Sequence, residues 1–165
     1  IEVLQAMGGS IELQNAREVG GEPVADLRVR HSNLQGIAVD PAIAPSMIDE
    51  YPILFIAAAL AEGRTVTTGL DELRVKESDR LAVMAAGLTA VGARVEESAD
   101  GLIIDGTGGD PLPGGAMVAG HLDHRICMSF AIAGLVSKAP VEIDDMAPVA
   151  TSFPNFEALL GGLQS

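Results

Sequence analysis

The apolar residues of the chain recur in two spacings, one helical and one strand-like. A spacing of three to four residues predicts helices over 49–62, 78–91, 124–137 and 153–163. Alternating or β-branched runs predict the strands 10–15, 24–31, 64–68, 93–97, 101–105 and 140–143. Residues 1–7 have the pattern of a helix end that glycine closes, and residues 106–115, rich in glycine and proline, predict a surface loop. This succession of elements predicts a mixed α/β (α+β) domain.

Two internal matches indicate a repeated unit. Residues 4–12 (LQAMGGSIE) match residues 88–96 (LTAVGARVE), where a helix end, a glycine stop and a strand follow one another. A second match aligns Leu88 with Leu163 and, earlier in the two segments, Leu81 with Phe156. Together they predict a threefold design in which each unit ends in a helix and a strand pair. The third unit lacks its strand pair, so we expect a segment outside this sequence to supply it.

The composition is that of one folded domain. The chain has 165 residues, of which 48% are hydrophobic and 20% are charged, and this excludes a disordered protein. The formal net charge of −13 excludes a general basic surface for nucleic acid or anionic lipid. No apolar run approaches the roughly 18–20 residues of a membrane helix, so no membrane partner is expected. Because Cys127 is the single cysteine, no internal disulfide can form, which favours the cytoplasm.

Basic residues at two predicted helix starts oppose the helix dipole. Lys76 and Arg80 lie around the start of the 78–91 helix, and Arg125 lies at the start of the 124–137 helix. Such local conflicts are typical of functional sites, and an anion held by helix N–H groups and arginine would resolve them. The alternative is a solvated first turn in which neighbouring acidic residues neutralise Lys76 and Arg80.

Other candidate residues have simpler interpretations. Asp49 precedes a proline-containing helix start and could act only as its N-cap. His124 could ligate a metal, but no second His or Cys lies at ligand spacing, so a half-buried structural histidine is the simpler reading. The sequence therefore predicts no metal site and no cofactor. The glycine-rich stretch 106–115 lacks the Gly-Lys-Ser/Thr ending of a phosphate-binding loop.

Four segments of the sequence together are typical of one enzyme family. Residues 73–81 read LRVKESDRL, and the other segments are 46–52 (SMIDEYP), 121–125 (HLDHR) and 150–154 (ATSFP). Residues 73–81 resemble the signature of the EPSP synthase family of 3-phosphoshikimate 1-carboxyvinyltransferases, and the other three segments occur in that family's order. The sequences SMIDEYP and HLDHR are similar to those of the class II bacterial branch, which includes glyphosate-tolerant members. The likeness extends over nearly the whole chain.

The resemblance implies an enzyme of two domains, each an inside-out α/β barrel built from three βαβαββ units. Residues 1–165 would form most of the C-terminal domain, with the N-terminal domain absent and the last unit completed by the family's extreme N-terminal segment. The long helices would direct their N-termini at the cleft between the domains and concentrate positive potential there. The full-length enzyme would be a cytoplasmic monomer, and this chain alone would be inactive.

The family's reaction gives the candidate residues their implied roles. It transfers the carboxyvinyl group of phosphoenolpyruvate to the 5-hydroxyl of shikimate 3-phosphate, by addition and elimination and without metal or cofactor. Asp49 would be the base on the 5-hydroxyl, and Glu77 would donate a proton to the methylene carbon. By the same resemblance, Asp49 also belongs to the substrate-binding set.

The remaining implied roles belong to positively charged and histidine side chains. Lys76 would bind the hydroxyls of shikimate 3-phosphate, and Arg80 and Arg125 would hold the phosphoenolpyruvate carboxylate. His124 would line the site beside Arg125. Many members carry a lysine where this chain has Thr151, so the phosphate contact on that side is in doubt.

Two other functions remain open at this point. One is an enolpyruvyl transferase of the same architecture that acts on UDP-N-acetylglucosamine, although that branch lacks the Lys-Glu-Ser-Asp-Arg wording of residues 76–80. The other is a non-catalytic anion-binding domain. The presence of both Asp49 and Glu77 favours an enzyme.

Overall fold

Three helices form the centre of the structure, and small sheets and further helices lie around them. The computed structural model describes residues 1–163. The helices are α1 (Glu2–Ala6), α2 (Ala44–Met47), α3 (Tyr51–Leu60), α4 (Arg80–Ala90), α5 (His124–Leu135), α6 (Val149–Ser152) and α7 (Phe156–Gly162). Short 3-10 turns occur at Pro41–Ile43, Ile48–Glu50 and Asp71–Val75. The strands are β1 (Ser10–Val19), β2 (Glu22–Arg30), β3 (Arg64–Val66), β4 (Arg94–Glu97), β5 (Leu102–Asp105), β6 (Leu112–Gly114), β7 (Met117–Val118), β8 (Ser137–Ala139) and β9 (Glu142–Ile143).

The strands form one hairpin and three small sheets. Strands β1 and β2 pair as a long antiparallel hairpin whose outer part is exposed. Strand β5 pairs antiparallel with both β3 and β4, in the order β3-β5-β4. Strands β6 and β7 pair in parallel with β8 and β9 respectively, so the segments before and after α5 are joined side by side.

The core lies where α3, α4 and α5 pack against one another. Their facing side chains are large and apolar, and Phe55, Leu81, Met84 and Phe130 are all fully buried. At Gly87 of α4 the ring of Phe130 comes so close that an added Cβ would lie 2.3 Å from its Cζ atom. The close crossing of α4 and α5 therefore requires glycine at this position, and it helps to bring the first residues of these helices together.

The two matched segments of the sequence have the same local geometry. In each, the glycine after the helix (Gly8 or Gly92) has a positive φ, +93° and +92° respectively. Its amide bonds the carbonyl three residues back, and the next amide bonds the carbonyl five residues back. This is the helix ending that glycine favours, and it confirms the predicted helix stops.

Most predicted elements are present, but several boundaries were wrong. Helix α4 begins at Arg80 rather than 78, because the Asp79 carboxylate caps it by accepting from the Ala82 amide at 3.0 Å. The predicted loop 106–115 contains β6, and the predicted strand 140–143 is shorter than expected, as β9, with a further strand, β8, before it. Parallel pairing between distant segments created β6 and β8, and no local pattern indicated them. Residues 164–165 of the sequence lie outside the described residues.

The expectation about membrane-length segments also needs a correction. The helical run Pro41–Leu60 has 20 residues with a mean hydropathy of 1.4, enough by length and composition to cross a membrane. Half of its most apolar window is buried within the protein. The run also contains Asp49 and Glu50, and a core helix passes the same test of length and composition. Its apolar character is accounted for by packing against α4 and α5.

Candidate active site

The first residues of α3, α4 and α5 meet at one end of the core. Asp49 lies in the 3-10 turn that leads into α3, Arg80 is the first residue of α4, and Arg125 is the second residue of α5. The side chains of Arg80 and Arg125 both donate hydrogen bonds to Asp49, at 2.9 Å to its carboxylate and 2.8 Å to its carbonyl oxygen. Helix starts that are distant in sequence therefore form one polar cluster.

Arg80 and Asp123 form a buried ion pair at the centre of this cluster. The side chain of Arg80 is 1% exposed and that of Asp123 is fully buried. The Arg80 Nε and Nη2 atoms donate to the two Asp123 oxygens at 2.8 and 3.3 Å. Asp123 also accepts from the Ser78 hydroxyl at 2.9 Å and, as the N-cap of α5, from the Arg125 amide at 3.0 Å. One carboxylate thus holds the first residues of α4 and α5 next to each other.

The pKa values of this pair reflect the competition between burial and hydrogen bonding. Burial favours the neutral acid of Asp123, but the hydrogen bonds from Arg80 and Ser78 outweigh it and hold the pKa of Asp123 below its usual range. Burial alone would lower the pKa of Arg80, yet the bonds and charges of its carboxylate partners raise it. Both groups are charged at neutral pH, and each compensates the other.

Arg80 also binds the two predicted acid–base residues. Its Nη2 atom lies 2.6 Å from the Glu77 carboxylate and its Nη1 atom lies 2.9 Å from the Asp49 carboxylate. With the two bonds to Asp123, four of the five guanidinium N–H groups have carboxylate partners. Arg80 therefore fixes the distance between Glu77 and Asp49, and one of its N–H groups has no partner within residues 1–163.

Three cations surround Asp49. The Lys76 ammonium lies 3.4 Å from the Asp49 carboxylate, in addition to the contacts from Arg80 and Arg125. Burial pushes the pKa of Asp49 upward, but the charges of Lys76, Arg125 and Arg80 outweigh it and leave the pKa below its usual range. The carboxylate does not cap α3, whose N-cap is Glu50, so the interpretation of Asp49 as only a helix cap is wrong.

Lys76 is held by a second carboxylate. Its Nζ atom lies 2.6 Å from Glu72, one turn earlier in the chain. The hydrogen bond that Lys76 donates to Glu72 is the main reason why the pKa of Lys76 is raised. Lys76 therefore points at Asp49 as a fully charged group that two carboxylates share.

Arg125 presents the most available guanidinium of the cluster. Its Nη1 atom donates to the Asp49 carbonyl and, at 3.0 Å, to the Glu50 carboxylate. Within residues 1–163, its Nε and Nη2 atoms have no protein partner, and the side chain is partly exposed. These atoms form the planar two-pronged face that matches a carboxylate.

Not every implied residue joins the cluster. His124 is half-buried as the first residue of α5, and its ring makes no hydrogen bond or ion pair within the described chain. The Thr151 hydroxyl is exposed and donates to the Pro148 carbonyl at 2.7 Å. A cavity of about 200 Å³ nevertheless connects Asp49 and Arg125 with Phe153, two residues after Thr151.

The expected surplus of positive charge is wrong for the residues that the structure describes. The three cations Lys76, Arg80 and Arg125 contact five carboxylates, those of Asp49, Glu50, Glu72, Glu77 and Asp123. The helix dipoles add only about half a positive charge for each helix start. Because the acidic side chains come from the same segments as the basic ones, the cluster has internal ion pairs and no net positive charge. Among residues 1–163, no group of three or more His, Cys, Asp or Glu side chains is arranged to hold a metal ion.

Asp123 and Glu72 are the main residues that sequence reasoning missed. Asp123 has the position of an N-cap before α5, which was a usable signal for its contact with the Arg125 amide. Its pairing with Arg80, 43 positions away, had no signal in the sequence. Glu72 stands four residues before Lys76, the spacing of a helical ion pair, but the 3-10 turn that carries it was not predicted.

The comparisons with known proteins agree on one family. The sequence model of EPSP synthase (3-phosphoshikimate 1-carboxyvinyltransferase) matches residues 1–160. The 3-phosphoshikimate 1-carboxyvinyltransferase of Sphingopyxis alaskensis is 84% identical over 99% of this chain and 37% of its own length. That of Novosphingobium aromaticivorans is 70% identical over 96% of this chain and 37% of its own length.

The solved structures give the same result at the level of the fold. An EPSP synthase from Acinetobacter baumannii superimposes with a TM-score of 0.94 at 47% identity, over 98% of this chain and 37% of that one. The chain thus spans a little over a third of the length of the relatives that it matches.

Proposed function

Because the chain belongs to the EPSP synthase family, we propose that the protein containing it makes EPSP from phosphoenolpyruvate and shikimate 3-phosphate. In this reaction the carboxyvinyl group moves to the 5-hydroxyl and phosphate is released, a step of aromatic amino-acid biosynthesis. The single observation that carries the proposal is the convergence of Lys76, Arg80 and Arg125 on Asp49, with Glu77 on the same guanidinium. A base, an acid and cations for two anionic substrates are the groups that this chemistry requires.

Asp49 is the proposed base on the 5-hydroxyl. Its lowered pKa keeps it ionised at neutral pH, the form that can accept a proton. In this structure the Lys76 Nζ and Arg80 Nη1 atoms contact the Asp49 carboxylate at 3.4 and 2.9 Å. Substrate that draws either cation away would raise the basicity of Asp49 at the moment of reaction.

Glu77 is the proposed acid for the methylene carbon. Its carboxylate is bound to Arg80 at 2.6 Å and is about half exposed, so it can exchange protons with solvent. Arg80 joins Glu77 to Asp49 and would keep the acid and the base at a fixed separation, as addition across a double bond requires.

The cations have different proposed tasks. Arg125, with its free Nε and Nη2 atoms, binds the phosphoenolpyruvate carboxylate, and Arg80 contributes its remaining N–H. Lys76 binds the hydroxyls of shikimate 3-phosphate, and His124 lines the site beside Arg125. Thr151 supplies no charge for the leaving phosphate.

The charge balance of the cluster supports the proposal that the site is completed from outside this chain. Phosphoenolpyruvate and shikimate 3-phosphate are both anions, whereas the cluster has more carboxylates than cations. We therefore assign residues 1–165 to most of a C-terminal domain of class II bacterial type, within an inside-out barrel of βαβαββ units. The N-terminal domain would contribute the further cations, in a monomeric cytoplasmic enzyme.

The test uses the full-length enzyme that contains this sequence, with Glu77→Gln as the central variant. Calorimetry should show that wild type and Glu77→Gln both bind shikimate 3-phosphate. The turnover of Glu77→Gln should be at least about 100-fold lower than that of wild type. Glu96→Gln is the matched control, because Glu96 is exposed on β4 and pairs with Arg64 outside the cluster. Unaltered turnover in Glu77→Gln would remove Glu77 from the acid role.

A substrate panel and the isolated chain test the assignment itself. Consumption of UDP-N-acetylglucosamine in place of shikimate 3-phosphate would contradict the proposed substrate. Binding of phosphoenolpyruvate without turnover of any acceptor would indicate a non-catalytic anion-binding domain. Residues 1–165 alone should give no measurable product, and product formation by this piece would contradict the need for the N-terminal domain.

A further inference from the structure

Residues 76–78, which carry Lys76 and Glu77, have no regular secondary structure. They run between the 3-10 turn Asp71–Val75 and the start of α4. Val75, just before them, is 81% exposed, so no apolar packing of its own holds this side of the segment. Contacts from Lys76 to Asp49 and Glu72, from Glu77 to Arg80 and from Ser78 to Asp123 hold it inside the site. Substrate would compete for several of these contacts.

Arg74 holds the segment from the opposite side. Its Nη1 atom donates to both oxygens of Asp79, at 3.2 and 3.0 Å, and so closes a bridge across the segment. Its Nε and Nη2 atoms donate at 2.6 Å to the carbonyl oxygens of Ala99 and Ser98, and Nη2 lies 2.9 Å from Glu97. All three nitrogens of the guanidinium are therefore bound to groups outside the substrate-binding cluster.

The bridge also reaches the backbone of α4. The Asp79 carboxylate that Arg74 binds is the N-cap of the helix and accepts from the Ala82 amide. The Ser98 and Ala99 carbonyls belong to the turn that joins β4 to β5, which is part of the three-stranded sheet. Arg74 thus fastens both ends of the 76–78 segment to rigid elements of the domain.

We propose that Arg74 is a positioning residue that determines where Lys76 and Glu77 stand in the active site, acting through its bridge to Asp79 and to the β4–β5 turn. This role rests on the proposed function, in which Lys76 and Glu77 contact substrate. Arg74 touches none of the groups assigned to substrate. Lysine cannot replace it, because one ammonium cannot bind Asp79, Glu97 and two carbonyls at these four positions together.

The test compares Arg74→Lys with Arg64→Lys in the full-length enzyme. Arg64 is a matched control because its guanidinium also pairs with two carboxylates, those of Asp105 and Glu96, but at β3, away from the cluster. Arg74→Lys should lower kcat by about 10- to 100-fold, since a displacement near 1 Å has effects of that size. The KM for phosphoenolpyruvate should change by less than about threefold, because Arg125 is untouched. Arg64→Lys should leave kcat within about twofold of wild type.

Amide hydrogen exchange provides a readout that does not depend on turnover. Exchange over residues 76–83 should accelerate by at least about tenfold in Arg74→Lys and stay unchanged in Arg64→Lys, while α3 and α5 remain protected in both. Asp79→Asn is a second variant, because asparagine still caps the helix while losing the charge that Arg74 binds. In the double variant Arg74→Lys/Asp79→Asn, the loss of kcat should be smaller than the two single losses predict together, because both changes break the same contact.

Three results would overturn the proposal. They are unchanged exchange over residues 76–83 in Arg74→Lys, faster exchange without a fall in kcat, and acceleration spread equally over α3 and α5. A wild-type enzyme that does not use shikimate 3-phosphate would contradict the proposed function instead. The exchange comparison would then decide the role of Arg74 by itself.

Discussion

Two arginine–aspartate pairs of the chain share the same contact pattern but differ in their surroundings. Arg64 binds Asp105 through Nε and Nη2 at 2.7 and 3.0 Å, with the arginine side chain 52% exposed. Arg80 binds Asp123 through the same two nitrogens at 2.8 and 3.3 Å, with both side chains almost completely buried. The first pair joins two neighbouring strands, and the second joins the starts of two helices.

The difference shows how burial changes the role of one interaction. Water competes for the Arg64–Asp105 pair, so it contributes little to the free energy of folding. The Arg80–Asp123 pair is shielded from water, and each charge depends on its partner because loss of one leaves the other buried and uncompensated. The buried pair also orients two further carboxylates, those of Asp49 and Glu77, whereas the exposed pair reaches one further carboxylate in the described part of the chain, that of Glu96 at 3.6 Å.

The largest expected effect comes from removing the buried carboxylate. Asp123→Ala leaves Arg80 buried without its main partner and removes the cap of α5. We expect the free energy of unfolding to fall by about 3–5 kcal/mol, measured by urea denaturation of the full-length enzyme. Asp105→Ala is the matched control and should leave the free energy of unfolding almost unchanged, because solvent screens the exposed pair. Similar losses in the two variants would show that burial does not distinguish the pairs.

A smaller effect on stability, but a large one on catalysis, is expected from shortening the buried arginine. Arg80→Lys keeps the charge but cannot bind Asp123, Asp49 and Glu77 together. We expect kcat/KM to fall by about 100-fold or more, because the proposed acid and base lose their common support. Arg64→Lys should remain within about twofold of wild type in the same steady-state assay. Retention of activity by Arg80→Lys would show that catalysis does not require the Arg80 guanidinium.

The smallest effect concerns the pH dependence of stability. Hydrogen bonds hold the pKa of Asp123 below that of the unfolded chain, which is about 3.9. Asp123 therefore stabilises the fold above about pH 4, and this contribution is lost as the pH falls through the lowered pKa. The midpoint of urea denaturation should fall on acidification more steeply for wild type than for Asp123→Asn. The two curves of midpoint against pH should therefore converge at low pH.

The exposed pair provides the comparison for this measurement. The hydrogen bond from Arg64 likewise lowers the pKa of Asp105. Asp105→Asn should therefore also make the denaturation midpoint less sensitive to acidification. The change should be smaller, because solvent screens the exposed pair. Parallel curves for wild type and Asp123→Asn would contradict the assigned cause of the pKa shift.

Local patterns predicted the elements of the fold better than their partners. Helix stops at Gly8 and Gly92, the three central helices and the β4–β5 hairpin all follow from short stretches of sequence. The parallel strands β6 and β7 were missed because each is only two or three residues long and pairs with a distant segment. The pairing of such short strands depends on how distant segments pack, so no local alternation marks them.

For the candidate site, the residues that conflict with the helix dipole were the informative ones. Lys76, Arg80 and Arg125, which the sequence singled out at two helix starts, lie together around Asp49, because helices that pack side by side and start at one end bring their first residues together. The predicted surplus of positive charge was wrong, since charge counts along the sequence do not show which carboxylates fold back onto the cations. The catalytic roles of Asp49 and Glu77 remain predictions.

The amino-acid sequence by itself determined the helix stops, the identities of the charged residues at the helix starts, and the family. Only the tertiary structure decided that Arg80 is buried against Asp123, 43 positions away, and that Arg125 reaches Asp49 across 76 positions. The physical reason is that helix and turn propensities act over a few residues. The pairing of buried charges depends instead on which helices pack together and on how completely they exclude water.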